Sequence, residues 1–303
     1  MSKAGRFVPD MMYIPSVNGS TSVFGIIGHP VSQSMSPVIH NAAFQACKFN
    51  GIYVPFDVKR AGVSLKKALL DLNIQGASVT IPHKTWACRI ADRRDALSEI
   101  CGASNTLRIK DGQIHAFNTD GPGAIRALQQ GGFPTKGRRY LILGYGGSAA
   151  AIAGTLLLEE NPSWVGITGR NRTKVKNFVK FLGTKIPKKK STVQTVDLGS
   201  IDAESFDAII NTTPLGMTGK PDLLPVDLEL IGRSHTVFDI VYNPIHTQLL
   251  KASAEKGAKT ISGYLMLLYQ AVLQFEIFTG LKAPEHLMEK ELLGALRKTG
   301  DGK

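Results

Sequence analysis

The chain has few of the features that mark secreted, membrane or metal-binding proteins. Its three cysteines, Cys47, Cys88 and Cys101, are odd in number and form no Cys-x-x-Cys pair, so we expect no disulfide framework and a cytoplasmic location. The most apolar late stretch, 264–278, is too short to cross a bilayer. Residues 1–21 lack the apolar core of a signal peptide and are predicted to be a poorly ordered leader. No spacing of histidine, cysteine or acidic residues predicts a metal site.

Acidic residues are also scarce, with 24 Asp and Glu against 36 Lys and Arg and a net charge of +12. Such a charge can indicate nucleic-acid binding. Here the basic residues are spread along the chain, apart from the run 188–190, and no basic stripe is interleaved with aromatic residues. We therefore expect anionic small molecules as partners, with neither nucleic acid nor a membrane. Length and composition are those of a globular protein of two domains.

The stretch 139–176 has the order of a βαβ unit. An apolar run at 140–143 precedes the turn Gly-Tyr-Gly-Gly-Ser-Ala, then an alanine-rich segment and a second apolar run, Trp164–Thr168. In this Gly-x-Gly-x-x-Ala pattern the glycines permit a tight turn and a close approach of backbone to a pyrophosphate, which faces the helix N-terminus. The alternative is a structural glycine turn, but the surrounding pattern favours a dinucleotide.

The second strand of this unit lacks the acid that usually binds the ribose 2′-hydroxyl of NAD. No acid occurs between Glu160 and Asp197, and four basic residues lie between positions 170 and 176. These residues suit an adenosine 2′-phosphate, which predicts NADP(H). A solvated basic helix start is the alternative.

Two serines follow the first predicted strand, 23–28. Pro37 suits the first position of a helix, which places Ser36 at the N-cap of a helix that continues through 38–48. Capping explains Ser36 but does not explain Ser34. Two hydroxyls at a helix N-terminus can instead bind a carboxylate.

Lys84 and Asp120 also follow predicted strands. Lys84 comes after the short buried strand 76–81, and Asp120 comes after a hairpin, 107–109 and 114–117, with an Asp-Gly turn. From their local sequence alone, we would expect Lys84 to be a surface residue and Asp120 to be a turn or helix-cap residue.

Eight sequence blocks occur in the order and at the spacing of one known family. They are residues 34–37, 79–84, 102–106, 118–121, 144–148, 171–173, 211–213 and 263–270. By these blocks the chain resembles the shikimate/quinate dehydrogenase family over residues 22–298.

The resemblance implies an activity and a substrate site. The activity is reversible hydride transfer between NADP(H) and C3 of shikimate, a step of aromatic amino acid and chorismate biosynthesis. Ser34 and Ser36 would hold the substrate carboxylate, and Lys84 would be the acid/base group paired with Asp120. The other implied substrate ligands are Thr80, Asn105, Tyr242 and Gln270.

The resemblance also implies the cofactor site. Its residues in the glycine turn are Gly144, Tyr145, Gly146, Gly147 and Ser148. Those expected at the 2′-phosphate are Asn171, Arg172, Thr173 and Lys176. The others are Thr212, Ile240, Gly263 and Met266.

The implied fold is α/β, with an N-terminal α/β substrate domain and a Rossmann-type NADP-binding domain. Residues 22–122 and 262–303 would form the substrate domain and residues 123–261 the cofactor domain, with the active site in the cleft between them.

Several residues depart from the family's usual ones. Asparagine is usual at Ser78, alanine at Tyr145, valine at Ser104, and an acid near Ala96. Because Ser78 lies beside the implied pocket, the choice between shikimate and quinate, or a related polyhydroxy acid, stays open. Strict use of NADP over NAD is likewise left open by the sequence. Tyr145 could stack on adenine, reach into the cleft or point to solvent.

Two rival functions remain at this stage. One is a methylene-tetrahydrofolate dehydrogenase, but a folate has no need of the paired serines or of the motif Asn-Thr-Asp at 118–120. The other is a non-enzymatic NADP sensor, against which the intact Lys84 and Asp120 argue. The oligomeric state is not readable from the sequence.

Overall fold

A computed structural model describes residues 17–221 and 223–300. Most of the predicted leader, residues 1–16, lies outside these ranges. The strands are β1 Ser22–Gly28, β2 Gly51–Asp57, β3 Ile74–Val79, β4 Arg93–Arg94, β5 Thr106–Lys110, β6 Gln113–Phe117, β7 Arg139–Leu143, β8 Trp164–Thr168, β9 Val193–Thr195, β10 Ala208–Asn211, β11 Thr236–Asp239 and β12 Lys259–Ser262. The α-helices are α1 Ser36–Ala46, α2 Val63–Asp71, α3 Lys84–Ile90, α4 Ala96–Cys101, α5 Asp120–Gln130, α6 Gly147–Thr155, α7 Arg172–Lys185, α8 Gln248–Glu255, α9 Tyr264–Thr279 and α10 Glu285–Gly300.

The first sheet is mixed and has the strand order β2-β1-β3-β5-β6-β4. Strands β2, β1 and β3 are parallel, and β3, β5 and β6 are antiparallel to one another in turn. The turn between β5 and β6 has positive φ at Asp111 (52°) and Gly112 (73°), which is the type I′ geometry that an Asp-Gly pair favours. The predicted hairpin is therefore confirmed.

The second sheet is parallel throughout, with the order β12-β11-β10-β7-β8-β9. The chain starts at β7, builds outward on one side to β9, and then crosses to β10 on the other side. This reversal creates a crevice at the carboxyl ends of β7 and β10, the place where doubly wound sheets bind dinucleotides.

Helices α5 and α9 connect the two sheets. Helix α5 packs against α6 of the second sheet and against α9, while α9 and α10 pack against α1 of the first. Gly121 allows the close approach of α5 to α6, because a Cβ atom there would overlap Thr155 and the backbone of Ala151. One continuous hydrophobic cluster, which includes Phe44, Leu128, Ile142 and Phe275, accordingly runs from one sheet to the other.

Helix α1 begins one residue earlier than the sequence predicts. Met35 is at the N-cap, Ser36 is the first helical residue, and the Ser34 hydroxyl accepts a bond from the Ser36 amide at 3.3 Å. The prediction that Ser36 caps this helix is thus wrong. Pro37 fits the second helical position as well as the first, since neither amide has a partner inside the helix.

Candidate active site

A cavity of ≈ 490 Å³ lies between the two sheets, a volume that suits a small molecule. The first sheet and its helices contribute the predicted residues Ser34, Ser36, Thr80, Lys84, Asn105 and Asp120. The second sheet and α9 contribute Ser148, Ile240, Tyr242, Gly263, Met266 and Gln270. The fold therefore brings together predicted residues that are up to 236 positions apart, from Ser34 to Gln270.

Lys84 and Asp120 form an ion pair on the wall of this cavity. The distance from Lys84 Nζ to Asp120 Oδ2 is 2.5 Å, and the two side chains are 26% and 10% exposed. Lys84 is the first residue of α3 and Asp120 the first of α5. Both side chains thus project from helix N-termini that end at the same cavity. An ammonium in this position can donate a proton and stabilise a developing negative charge.

A buried hydrogen-bond network holds Asp120 in place. Asn105 Nδ2 donates to Asp120 Oδ1 at 2.8 Å and to Thr119 Oγ1 at 2.9 Å. Asn105 Oδ1 accepts from the Thr119 amide at 2.8 Å and from Thr106 Oγ1 at 2.9 Å. Both amide hydrogens and the oxygen of the Asn105 side chain therefore have partners within the protein, and this side chain orients Asp120.

Ser34 and Ser36 line the same cavity and lie at the N-terminus of α1. The first amides of a helix have no partner inside it and carry partial positive charge, which favours an anion. Ser36 is 5% exposed and Ser34 is half-buried. Two hydroxyl donors and a helix N-terminus make this part of the cavity suitable for a carboxylate.

The glycine turn of the second sheet has the geometry that a pyrophosphate needs. Gly144 has a φ of 117°, and a Cβ atom there would overlap the Thr212 hydroxyl. Gly146 and Gly147 have open space where a Cβ would be, and Ser148 lines the cavity. Thr212 donates through Oγ1 to the Leu143 carbonyl at 2.7 Å, which ties the turn to the end of β7. The exposed start of α6 thus faces the crevice of the sheet and fits a dinucleotide phosphate.

The basic residues predicted at the 2′-phosphate are exposed at the start of α7. Asn171 caps this helix by accepting from the Lys174 amide at 3.0 Å. Thr173 and Lys176 are exposed, and Arg172 is ion-paired with Asp197. Asp197 follows β9, the strand next to β8. An acid that lies far away in the sequence is therefore close to the basic cluster in the structure.

Two family models match the chain. The shikimate dehydrogenase substrate-binding domain matches residues 26–107, and the shikimate 5′-dehydrogenase C-terminal domain matches residues 263–293. A relative named shikimate dehydrogenase (NADP(+)), from Methanobrevibacter smithii, is 40% identical over an alignment of 294 residues that covers 94% of this chain and 99% of the relative. The chain belongs to the shikimate dehydrogenase family.

Solved structures of family members have the same fold. A shikimate dehydrogenase in complex with NADP+ superposes with a TM-score of 0.86 at 36% identity, over 92% of this chain and 97% of that one. A quinate dehydrogenase from Corynebacterium glutamicum in complex with NAD has a TM-score of 0.82 at 28% identity, over 90% of this chain and 99% of that one. The same fold thus occurs in a protein named shikimate dehydrogenase that binds NADP+ and in a protein named quinate dehydrogenase that binds NAD.

Tyr145 lies at the position where the family resemblance predicts alanine. Its ring is half-buried beside Gly169, just past the end of β8, and is not among the residues that line the cavity. A Cβ atom on Gly169 would lie only 2.7 Å from the ring. The phenol and the glycine are therefore complementary in shape.

Gln274 and Asp197 are the site residues that the sequence reasoning missed. Gln274 lines the cavity and is 1% exposed. Gln270 and Gln274 are four residues apart, which places them on the same face of a helix, and this spacing was the available signal. Asp197 had no local signal, because only the pairing of β8 with β9 brings it to Arg172.

Within the described ranges, none of the helices has the length and apolarity that a membrane span requires. The same residues contain no group of three or more histidine, cysteine or acidic side chains arranged to hold a metal ion. Cys47, Cys88 and Cys101 are free thiols.

Proposed function

We propose that this chain is a shikimate dehydrogenase that catalyses the reversible, NADP(H)-dependent reduction of 3-dehydroshikimate to shikimate. The observation that carries the proposal is the Lys84–Asp120 ion pair, which shares a cavity with Ser34 and Ser36 and borders a dinucleotide turn. The cavity thus offers an anion site, an acid/base group and a cofactor crevice. A small cyclic carboxylic acid that carries hydroxyl groups needs all three.

The proposed roles follow from charge and position. Ser34 and Ser36 bind the carboxylate, which sets the direction of the ring within the cavity. Lys84 donates a proton to the substrate oxygen as negative charge develops there, and it accepts the proton in the reverse direction. Asp120 holds the ammonium of Lys84 in place through the ion pair. Thr80, Asn105, Tyr242 and Gln270 complete the substrate pocket.

The second sheet would hold the cofactor, which supplies or accepts the hydride when bound. Gly144, Tyr145, Gly146, Gly147 and Ser148 would surround the pyrophosphate. Asn171, Arg172, Thr173 and Lys176 would bind the 2′-phosphate. All four are exposed, and the positive charge of Arg172 and Lys176 supports NADP(H) over NAD. Thr212, Ile240, Gly263 and Met266 would line the path toward the nicotinamide. Ile240, Gly263 and Met266 border the same cavity as Lys84, in support of this assignment.

The proposed domain division follows the two sheets. Residues 22–122 with 262–303 form the substrate domain, and residues 123–261 form the cofactor domain.

Free thiols support a cytoplasmic location, and an anionic substrate and cofactor account for the basic charge without nucleic acid. A fluorescent duplex should show no salt-dependent binding at physiological ionic strength.

The second candidate is a quinate/shikimate dehydrogenase that also uses NAD. The serine at position 78 supports its wider substrate range, because this residue lines the cavity at the position where the family resemblance predicts the larger asparagine. Initial rates with shikimate and quinate, each against NADP and NAD, separate the two candidates. We expect the highest kcat/KM for shikimate with NADP. A preference for NAD, or for quinate, would replace the first proposal with the second, and no activity in any combination would exclude both.

A further inference from the structure

Gln274 has a carboxamide whose orientation is determined by its partners. Its Nε2 donates to the backbone carbonyl of Asn105 at 3.2 Å and to Thr106 Oγ1 at 3.1 Å. The Thr106 hydroxyl donates its own proton to Asn105 Oδ1, so it can only accept from Gln274. A carbonyl also accepts and never donates. The nitrogen of Gln274 must therefore face these two oxygens, and Oε1 must face the other way.

Oε1 faces the hydroxyl of Ser78, at a distance of 2.7 Å. An amide oxygen has no proton to give, so Ser78 donates its single proton to Gln274. Ser78 then has only lone pairs to offer to any other group. Because Ser78 is 4% exposed and lines the cavity, the cavity meets a hydrogen-bond acceptor at this point and not a freely rotating hydroxyl.

Two other polar side chains lie behind Ser78, and they leave one of its two lone pairs to the cavity. Tyr53 is 1% exposed and its hydroxyl faces those of Ser78 and Ser36; because Ser78 gives its proton to Gln274, Tyr53 can only donate to Ser78 and occupies at most one lone pair. His40 is fully buried and stacks on Tyr53, with ring centroids 4.4 Å apart. Burial lowers the pKa of His40 to about 3, so the histidine places no positive charge beside the amide of Gln274.

We propose that Gln274 is a positioning residue that fixes Ser78 as an acceptor for one ring hydroxyl of the substrate. The inference rests on the proposed function and refines it by adding a specificity-determining pair. The hydroxyls of Ser34 and Ser36 present donors to the carboxylate, whereas Ser78 presents an acceptor. A substrate group that cannot donate a hydrogen bond would face lone pairs at Ser78 and be rejected.

Binding of shikimate analogues tests the pair without turnover. In the C4 and C5 deoxyfluoro analogues, fluorine replaces a hydroxyl of similar size but cannot donate a hydrogen bond. Kd is measured by titration calorimetry with the full-length chain. We expect the wild type to bind one of the two analogues about tenfold or more weakly than shikimate, the scale of one buried hydrogen bond.

Substitutions then assign this discrimination to the pair. The ratio that matters is the Kd of the discriminated analogue divided by the Kd of shikimate. Ser78→Ala should reduce this ratio to near one. Gln274→Leu should reduce it as well, because the Ser78 hydroxyl becomes free to rotate and can donate. In the double variant, Gln274→Leu should add no further change to the ratio found in Ser78→Ala, as expected for residues that act as a unit.

A purely structural role for Gln274 would change stability but leave the ratio of Kd values intact. Thermal unfolding identifies variants that fail to fold, and Gln274→Met is a second variant of similar length. The inference is overturned if the ratio in Ser78→Ala or in the folded Gln274 variants equals that of the wild type, or if the wild type binds both analogues as well as shikimate. The proposed function fails separately, if the wild type binds shikimate but does not oxidise it with NADP.

Discussion

The two sides of the cavity are built in different ways. On the substrate side, Lys84, Asp120, Asn105 and Gln274 belong to one buried network of hydrogen bonds. On the cofactor side, the predicted ligands are backbone amides of a glycine turn and exposed side chains such as Arg172, which is 75% exposed. The substrate side is therefore preorganised, whereas the exposed side chains on the cofactor side are not fixed by a buried network of this kind.

This difference has a physical reason. Ring hydroxyls are neutral and are distinguished only by directional bonds, which are effective when the protein groups cannot rotate or exchange with water. A phosphate carries full charges and is attracted by exposed cations even through solvent, although salt weakens that attraction. Substitutions on the substrate side should therefore change the reaction or its selectivity, and substitutions on the cofactor side should mainly change affinity.

The largest expected effect is that of Lys84→Ala on kcat. We expect a loss of at least about 100-fold with KM for shikimate near normal, because oriented proton transfer contributes roughly 10²–10⁴-fold. Lys67→Ala is the matched control, since Lys67 lies on the exposed face of α2 and pairs with Asp71. Nearly full kcat in the Lys84 variant would remove this residue from the mechanism and leave the substrate side without an acid/base group.

The next effect is on the cofactor side, where Gly169 and Tyr145 are expected to be coupled. Gly169→Ala places a Cβ 2.7 Å from the Tyr145 ring, and overpacking of this kind costs about 1–3 kcal/mol. We expect a lower Tm and weaker NADP binding by fluorescence titration. The double variant with Tyr145→Ala should recover most of both losses. Additive losses would show that the ring does not pack on Gly169 as described.

A smaller effect is expected for the charges at the start of α7. Arg172→Ala should raise the Kd for NADP about tenfold, the scale of one charge-assisted bond, with little change for NAD. Asp197→Asn should act in the opposite direction, because it frees the guanidinium. Lys180→Ala, about two turns further along α7, is the control. Both effects should shrink as ionic strength rises. Equal losses for NAD and NADP would contradict the assignment to the 2′-phosphate.

The smallest effects compare one carboxylate in each half of the molecule, Asp92 and Asp207. A hydrogen bond from the Ile114 amide lowers the pKa of Asp92 below 3.8, and Lys66 adds to this. Burial raises the pKa of Asp207, but hydrogen bonds from Arg139 outweigh that effect and the net shift is downward.

A carboxylate with a depressed folded-state pKa stabilises the protein above its ordinary pKa, and the stabilisation disappears as pH falls through the folded-state value. Asp92→Asn and Asp207→Asn should each lower Tm modestly at pH 7 and have less effect at more acidic pH. Thermal scans from pH 7 to pH 3 measure this. A difference between variant and wild type that grows toward low pH would reverse the sign for that residue.

Much of the fold was predictable because its signals are local. The apolar runs around residues 140 and 164, the glycine turn and the Asp-Gly hairpin each determine their own conformation within a few residues. The choice of cap for α1 was wrong by one residue, because the sequence pattern Ser-x-Ser-Pro fits a helix that starts at either position. Cap positions depend on bonds that compete over small energy differences.

The candidate site was predictable as a set of residues but not as a geometry. The order and spacing of eight blocks gave the family, and with it the candidate ligands from Ser34 to Gln270. Spacing along the chain does not say which atoms meet, so the pairing of Arg172 with Asp197 and the bond from Ser78 to Gln274 could not be derived.

The sequence by itself determined the elements, the βαβ unit, the family and the absence of an acid near the end of β8. The tertiary structure decided which distant side chains form hydrogen bonds or ion pairs with one another. Helix α9 brings Gln274 to β3, and β9 brings Asp197 to α7. The reason is that a hydrogen bond depends on distances of a few tenths of an ångström and on the direction of each donor. Those quantities exist only after the sheets and helices have packed.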